Sequence, residues 1–301
     1  MLTTSLPTLT CLHKPIDTSP DKFGWLRDSS DIANDPEALR QRMAEEGYLY
    51  LPGYLNRQQV IEARRELTKR LAEKGLLQPD TDPMEAIAKE GINVGFMPEL
   101  AHDNPSLWKV LYSGRMMQFY EHLLGGEVRH YDYTWVRAVS PGNSTPPHCD
   151  VVYMGRGTHN LFTSWTPMDD IDLMEGGLMI LENSHTHPRL RTVYCQKDVD
   201  TWCENRADKR PGTGAFGALS KNPSRLRDHL GGRWLTSPLF RMGDLLAFSV
   251  YTVHASLDNR SNRIRLSTDS RYQLASEPVD ERWVGEHPIG HGGAALRPVI
   301  C

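Results

Sequence analysis

The sequence has few cysteines and no long apolar segment. Its 301 residues include only five cysteines, at scattered positions without short paired spacings. This odd number argues against a disulfide framework or a zinc knuckle and fits a reducing compartment. No segment approaches the roughly 20 apolar residues that a membrane helix requires, and the first residues lack the basic start and apolar run of a signal peptide. We therefore expect a cytoplasmic protein.

The chain also lacks an excess of charge of one sign. Its formal net charge is −4, and lysine and arginine are scattered rather than grouped. Such a surface offers no basic field for nucleic acid or an anionic membrane, so we expect a small-molecule partner. With 39% hydrophobic residues the chain can bury a full core, which predicts one domain over residues 1–301. The composition leaves the oligomeric state open.

Helical signals dominate the first part of the chain. Residues 1–34 are rich in Thr, Ser and Pro and lack periodicity, which predicts an irregular leader. Residues 35–127 predict a mainly helical scaffold, in which a capping side chain marks each helix start and a glycine marks each end. The starts are Asp35-Pro36, Asn56 with Gln59, and Asn104-Pro105, and the ends are Gly47, Gly75 and Gly125.

Beyond residue 127 the pattern changes to short β-rich runs separated by Gly, Pro, Asn and Asp. The runs are 128–139, 161–165, 177–181, 245–253 and 264–274. Helices followed by antiparallel strands predict an α+β fold, in which the N-terminal helices buttress a jelly-roll (double-stranded β-helix, cupin-like) barrel over residues 128–275. A polar insertion at 185–233 is too long for a hairpin loop and could be a lid or a plain surface insertion. Residues 276–301 form the predicted C-terminal tail.

Three residues carry the side chains of a ferrous iron site. His148 and Asp150 are two apart, so on a strand both would point to one face and Cys149 to the other. His254 follows the apolar run 245–253, where a buried strand would reach the mouth of a barrel. Two imidazoles and one carboxylate hold iron on one face and leave the opposite positions open for other ligands.

An arginine follows this group. Arg265 lies eleven residues after His254, on a strand predicted to pair back beside it. An inward-pointing guanidinium would be a buried, unpaired cation unless an anion met it, and its fork matches a carboxylate. Ser256 could add a hydroxyl donor. The alternative for Arg265 is a salt bridge with a local acid, either Asp258 or Asp269.

Motifs at three places in the chain form one larger pattern. They are Glu46-Gly47-Tyr48-Leu49-Tyr50-Leu51-Pro52-Gly53-Tyr54-Leu55, then His148-x-Asp150 with Trp165 and Glu175-Gly176-Gly177-Leu178, and finally Gly243-Asp244 with Val253-His254-Ala255-Ser256 and Arg265. The pattern covers most of the chain and resembles the phytanoyl-CoA dioxygenase family of Fe(II)/2-oxoglutarate oxygenases.

The resemblance implies roles for the metal-binding side chains. His148, Asp150 and His254 would be the iron ligands and so the catalytic centre. Because Asp150 is a carboxylate rather than Gly or Ala, no ligand position is vacant for a halide. A hydroxylase is therefore favoured over a halogenase.

The same resemblance implies a cosubstrate site. Arg265 and Ser256 would bind the distal carboxylate of 2-oxoglutarate, and Trp165 would line its pocket. Tyr131, on an aromatic run just before the metal motif, would contact the other end of the cosubstrate.

The implied activity is oxidation at an unactivated C–H bond of a small molecule. It would use Fe(II), 2-oxoglutarate and O2 and release succinate and CO2, while the identity of the substrate stays open. Two alternatives remain at this point. One is a catalytically degenerate jelly-roll protein that only binds a ligand, and the other is a cupin-like zinc or manganese enzyme that does not use 2-oxoglutarate.

Overall fold

Two β-sheets form the centre of the fold in the computed structural model, which describes residues 6–200 and 217–291. The strands are β1 Thr10–Cys11, β2 Lys14–Pro15, β3 Phe23–Trp25, β4 Tyr48–Leu51, β5 Val128–His130, β6 Trp135–Val139, β7 Phe162–Pro167, β8 Ile171–Asp172, β9 Leu178–Leu181, β10 Trp234–Thr236, β11 Leu239–Phe240, β12 Leu245–Ser249, β13 His254–Ser256 and β14 Arg265–Leu274. The larger sheet has six strands in the order β4-β12-β7-β14-β5, with β6 also paired to β14, and the smaller has the order β13-β9-β10-β3. Two further sheets, β1-β2 and β8-β11, have two short strands each.

Three of the α-helices begin directly after the predicted capping residues Asp35, Asn56 and Asn104. The α-helices are α1 Pro36–Glu46, α2 Arg57–Glu73, α3 Pro105–Leu111, α4 Gly114–Leu124, α5 Val151–Met154 and α6 Pro223–Leu230. The Asp35 side chain accepts hydrogen bonds from the first turn of α1, and Gly47 ends that helix at φ 76°. The single helix predicted from Asn104 to Gly125 is wrong in one respect, since it is two helices. Ser113 is extended and Gly114 adopts φ 56°, which breaks the helical hydrogen-bond ladder between them.

The two faces of the larger sheet pack against different partners. On β4, Leu49 and Leu51 belong to the core cluster that contains the helix residues, whereas Tyr48 and Tyr50 pack in a cluster with residues of the smaller sheet. Alternation along a strand puts neighbouring side chains on opposite faces. The helices therefore buttress the outer face of the larger sheet, as predicted, and its inner face meets the smaller sheet.

The leader is more regular than its composition predicts. Phe23–Trp25 pairs in parallel with β10 and completes the smaller sheet, so the irregular assignment is wrong for these residues. A strand of three residues is too short to show a periodic pattern. Its pairing partner lies more than two hundred residues away, in a part of the chain that local sequence cannot indicate.

The predicted insertion contains several short helices. They are a 3₁₀ turn Ser184–Thr186, a π-helical turn Leu190–Tyr194, and α6. Leu190 and Tyr194 are buried in the core cluster that also holds Cys149. Residues 201–216 of the insertion and 292–301 of the tail lie outside the described residues. Within the described ranges, no helix has the length and apolar character needed to cross a membrane.

Candidate metal centre

The fold brings His148, Asp150 and His254 together. One ligand atom of each lies within 4.8 Å of the others, and all three side chains are buried. Asp150 Oδ1 is 3.6 Å from His148 Nε2 and 3.7 Å from His254 Nε2. The two histidines form an isolated antiparallel bridge in which each backbone N–H donates to the other's carbonyl at 3.0 Å. Backbone pairing thus fixes the distance between two of the three ligands.

The local structure around the first two ligands differs from the predicted strand. Only His148 takes part in a bridge, while Asp150 has helical φ and ψ of −67° and −29° and precedes α5. The chain turns into a helix here, so the period of two does not apply, and Cys149 is buried in the core rather than pointing outward. The predicted strand 245–253 likewise ends at Ser249, and His254 begins β13 after a turn. The three side chains come together as predicted, although the predicted strand conformation of the backbone around them is wrong.

Hydrogen bonds orient both imidazoles toward Asp150. The Nδ1 of His148 lies 2.8 Å from the Pro146 carbonyl, and the Nδ1 of His254 lies 3.1 Å from the Thr252 carbonyl. A carbonyl can only accept, so each Nδ1 carries a proton and each Nε2 is the ring nitrogen turned toward Asp150. Burial, helped by His148, lowers the pKa of His254 to about 3 and keeps its ring neutral. This is the form that binds a metal.

Two ligand atoms at the centre have no hydrogen-bond partner within the described part of the chain. They are His148 Nε2 and Asp150 Oδ1. Buried polar atoms are normally paired, and these two lie 3.6 Å apart, beyond hydrogen-bond distance. A divalent cation between them would satisfy both. The donor set of two neutral imidazoles and a carboxylate matches ferrous iron.

The second oxygen of Asp150 is fully engaged by the protein. Oδ2 accepts from Thr163 Oγ1 at 2.5 Å and from Arg271 Nη2 at 3.0 Å. Burial acts to raise the pKa of Asp150, but the Arg271 guanidinium acts against it, and the pKa of Asp150 lies well below its usual range. The carboxylate is therefore ionised, as a metal ligand must be.

Arg265 is a buried cation that forms no ion pair with any of the residues described. It is 1% exposed, its Nη1 donates to Ser267 Oγ at 2.7 Å, and its Nε and Nη2 have no partner among the residues described. The alternative salt bridge is not formed with Asp269, because that carboxylate pairs with Arg137 at 2.6 Å. Burial, together with repulsion from Arg137, lowers the pKa of Arg265 to about 10. Two unused donors on a buried guanidinium suit an added carboxylate.

The other predicted cosubstrate contacts are also buried. Ser256 Oγ accepts from the Thr145 backbone N–H at 2.8 Å, which leaves the hydroxyl proton free to donate. The indole N–H of Trp165 and the hydroxyl of Tyr131 have no partner in the described ranges. Trp165 lies opposite Asp269 in the β7–β14 register. The aromatic run that was predicted as one strand is interrupted, and Tyr131 lies between β5 and β6.

A family model matches most of the chain. The model for phytanoyl-CoA dioxygenase (PhyH) covers residues 43–267, which include all three metal-binding side chains and Arg265. The chain belongs to the phytanoyl-CoA dioxygenase family. One relative, the 1-deoxypentalenic acid 11-beta-hydroxylase of Streptomyces exfoliatus, is 26% identical over 267 residues, or 83% of this chain and 85% of that protein.

Solved structures share the fold of this PhyH member. The carbocyclase SnoK from nogalamycin biosynthesis, a non-haem alpha-ketoglutarate-dependent enzyme, matches with a TM-score of 0.58 at 17% identity, over 85% of this chain and 89% of that chain. EctD from S. alaskensis, solved with 2-oxoglutarate and 5-hydroxyectoine, matches with a TM-score of 0.55 at 15% identity, over 97% and 93%. These likenesses establish a mixed helix and sheet architecture of the same type.

Sequence reasoning on the PhyH member missed Thr163 and Arg271. Thr163 carries no signal of its own, because a buried threonine on a strand is ordinary. Arg271 had one usable signal, since it lies six residues after Arg265 on the same strand and therefore on the same face. The sequence does not show that Arg271 contacts Asp150, because this contact depends on how β7 and β14 are aligned.

Proposed function

We propose that this protein is an Fe(II)- and 2-oxoglutarate-dependent oxygenase that hydroxylates an unactivated C–H bond of a small organic molecule. The observation that carries the proposal is the pairing of two unsatisfied sites. One is the His148–Asp150–His254 group with its two unpartnered ligand atoms, and the other is the buried Arg265 with its two unpartnered donors. A metal ion alone would satisfy the unpartnered ligand atoms of the first site. A metal ion with a dianionic cosubstrate would also satisfy the unpartnered donors of Arg265.

The roles of the residues follow from their contacts. His148, Asp150 and His254 would hold the iron through Nε2, Oδ1 and Nε2. Arg265 would bind the distal carboxylate of 2-oxoglutarate through Nε and Nη2, with Ser256 donating its hydroxyl proton. Bound iron and 2-oxoglutarate activate O2, with release of succinate and CO2, and the protein supplies binding, orientation and electrostatics.

Trp165 and Tyr131 would contact the cosubstrate or the substrate. Each has a buried donor without a partner in the described residues, and each lies near strands that carry the site. An unpaired buried donor costs about 1–3 kcal/mol, so a ligand that accepts from it binds more tightly. Small-molecule sites are typically lined by aromatic side chains such as these, together with a few convergent donors.

The family relatives support a small-molecule substrate. The Streptomyces exfoliatus relative is named for hydroxylation of 1-deoxypentalenic acid, a small organic acid. We also propose that residues 1–301 form one domain. In this domain the two sheets would be the halves of a double-stranded β-helix. The insertion at 185–233, of which residues 201–216 lie outside the described residues, would be either a lid or a plain surface insertion, and the protein would work in the cytoplasm.

Anaerobic addition of Fe(II) and 2-oxoglutarate tests the proposal. The chelate should give a weak visible charge-transfer band in wild-type protein, and His148→Ala should abolish it. Folded wild-type protein without a band contradicts the proposal. Metal analysis after anaerobic purification and an assay for succinate release then separate a zinc or manganese enzyme from a protein that binds ligand without turnover.

A further inference from the structure

The two oxygens of Asp150 have separate surroundings. Oδ1 faces Nε2 of His148 and of His254, at 3.6 and 3.7 Å, and has no hydrogen-bond partner in the part of the chain that is described. Oδ2 accepts two hydrogen bonds, from Thr163 and from Arg271. One oxygen is thus available to a cation while the other is occupied by the protein.

The register of two strands creates this division. Thr163 on β7 lies opposite Arg271 on β14 in an antiparallel pair, so both side chains project from the same face of the sheet. Both are fully buried, at 0% exposure. Their donors meet at one carboxylate oxygen because the strands hold them side by side.

An aromatic ring fixes the guanidinium further. The Arg271 Cζ lies 4.1 Å from the ring centroid of Trp135 on β6, which pairs with β14 on its other side. A planar guanidinium over an indole face is a favourable cation–π arrangement, and it restricts rotation about the long side chain. Arg271 is therefore held from one side by Trp135 and from another by Asp150.

We propose that Thr163 and Arg271 form a carboxylate clamp that makes Asp150 bind the metal through one oxygen only. The inference rests on the proposed metal site. A six-coordinate ion with three protein ligand atoms keeps three positions open, whereas a carboxylate that bound through both oxygens would fill one of them. The clamp prevents this by engaging Oδ2, and Arg271 acts as a positioning residue rather than a ligand.

The clamp also balances charge before the metal arrives. A buried carboxylate that loses its cationic partner is strongly destabilising. Arg271 neutralises Asp150 in the metal-free protein, so the ligand set can be assembled in advance. Partners of this kind around metal ligands affect metal affinity by about 10–100-fold when they are removed.

Titration of the full-length protein with Co(II) alone, followed by calorimetry and by the d–d absorption band, tests the clamp. Thr163→Val removes one donor at nearly constant volume, and Arg271→Met removes the other. We expect each variant to bind Co(II) about 10–100-fold more weakly and to change the shape of the band as Oδ2 becomes free to bind. Thr163→Ser restores the hydroxyl and should bind Co(II) as wild type does.

The matched control is Arg64→Met. Arg64 is also almost fully buried and paired with a buried carboxylate, but that carboxylate is Asp169, at 2.8 Å, and not Asp150. It should leave Co(II) affinity and the band unchanged. If Arg271→Met fails to fold, the Thr163→Val and Thr163→Ser pair decides the question without it.

The outcomes separate this inference from the proposed function. Wild-type protein that binds no Co(II) overturns the metal site, and the clamp falls with it. Wild-type protein that binds Co(II), with Thr163→Val binding equally well and giving the same band, overturns the clamp alone. A variant that only loses thermal stability, with unchanged Co(II) affinity and spectrum, shows a structural role and also overturns it.

Discussion

Replacing Arg265 by methionine should have opposite effects on the free protein and on cosubstrate binding. In the ligand-free protein the guanidinium makes one hydrogen bond, to Ser267, and buries Nε and Nη2 without partners in the described residues. Each such donor costs about 1–3 kcal/mol, while the lost hydrogen bond was worth about 1 kcal/mol. Methionine keeps most of the volume and removes the charge. The apoprotein should therefore be more stable, by about 1–5 kcal/mol.

The effect on 2-oxoglutarate should be large and unfavourable. Truncating one partner of a buried, hydrogen-bonded charge pair costs about 2–5 kcal/mol. Since 1.4 kcal/mol corresponds to a factor of ten, the affinity should fall by about 30-fold or more. Calorimetric titration of Mn(II)-loaded protein with 2-oxoglutarate measures this change without turnover, and urea unfolding of the metal-free protein measures the stability.

Arg263→Met is the control, because Arg263 lies two residues before Arg265. Arg263 donates to both oxygens of Asp169, at 3.1 and 2.9 Å, and pairs with Glu175 at 3.1 Å. Its loss should destabilise the apoprotein and leave 2-oxoglutarate affinity unchanged. The reasoning is refuted if Arg265→Met clearly destabilises the apoprotein, or if its 2-oxoglutarate affinity stays at the wild-type value.

Three further changes test other parts of the site. His148→Ala should remove the increase in melting temperature that Co(II) or Mn(II) gives the wild-type protein, because a site of two ligands binds far more weakly; an equal increase would contradict the ligand assignment. Trp165→Phe should weaken 2-oxoglutarate binding by about 1 kcal/mol in the same titration if the indole N–H donates to it, and an unchanged affinity would remove Trp165 from the pocket. Burial, with repulsion from Asp169, raises the pKa of Glu175 to about 7 from 4.5 in the unfolded chain. The native state then binds the extra proton between these values, so stability should fall as pH rises from about 4.5 to 7, and Glu175→Gln should reduce the difference in unfolding free energy between about pH 5 and pH 8 by on the order of 1 kcal/mol.

The sequence predicts the site residues better than it predicts their backbone. His148, Asp150, His254 and Arg265 could be grouped from the sequence because together they match a family pattern that extends over most of the chain, whereas His-x-Asp alone is a weak signal. The strand assumed for His148 and Asp150 was wrong because the chain enters α5 at Asp150, and a helix of four residues leaves no periodic pattern. The ligands converge through backbone bonds between His148 and His254, a long-range contact that spacing alone does not describe.

The same limit applies to contacts that depend on register. Thr163 and Arg271 are more than one hundred residues apart, and they meet only because β7 and β14 are aligned as they are. A local pattern can place each residue on a face of its own strand, but it cannot state which residue lies opposite. The strand Phe23–Trp25 was missed for this reason as well, since its partner β10 is equally remote.

The register of β14 links the two halves of the proposed site. Arg265 and Arg271 share one face of this strand, six residues apart, so a shift by one residue would turn both side chains away from the site together. The start of the strand is held by the Ile264 N–H, which donates to the Ala86 carbonyl at 2.8 Å. Just before it, the Asn259 side-chain amide donates to the Val139 carbonyl at 2.8 Å. Because the anion site and the carboxylate clamp depend on one alignment, an insertion within β14 between Arg265 and Arg271 should disrupt both together.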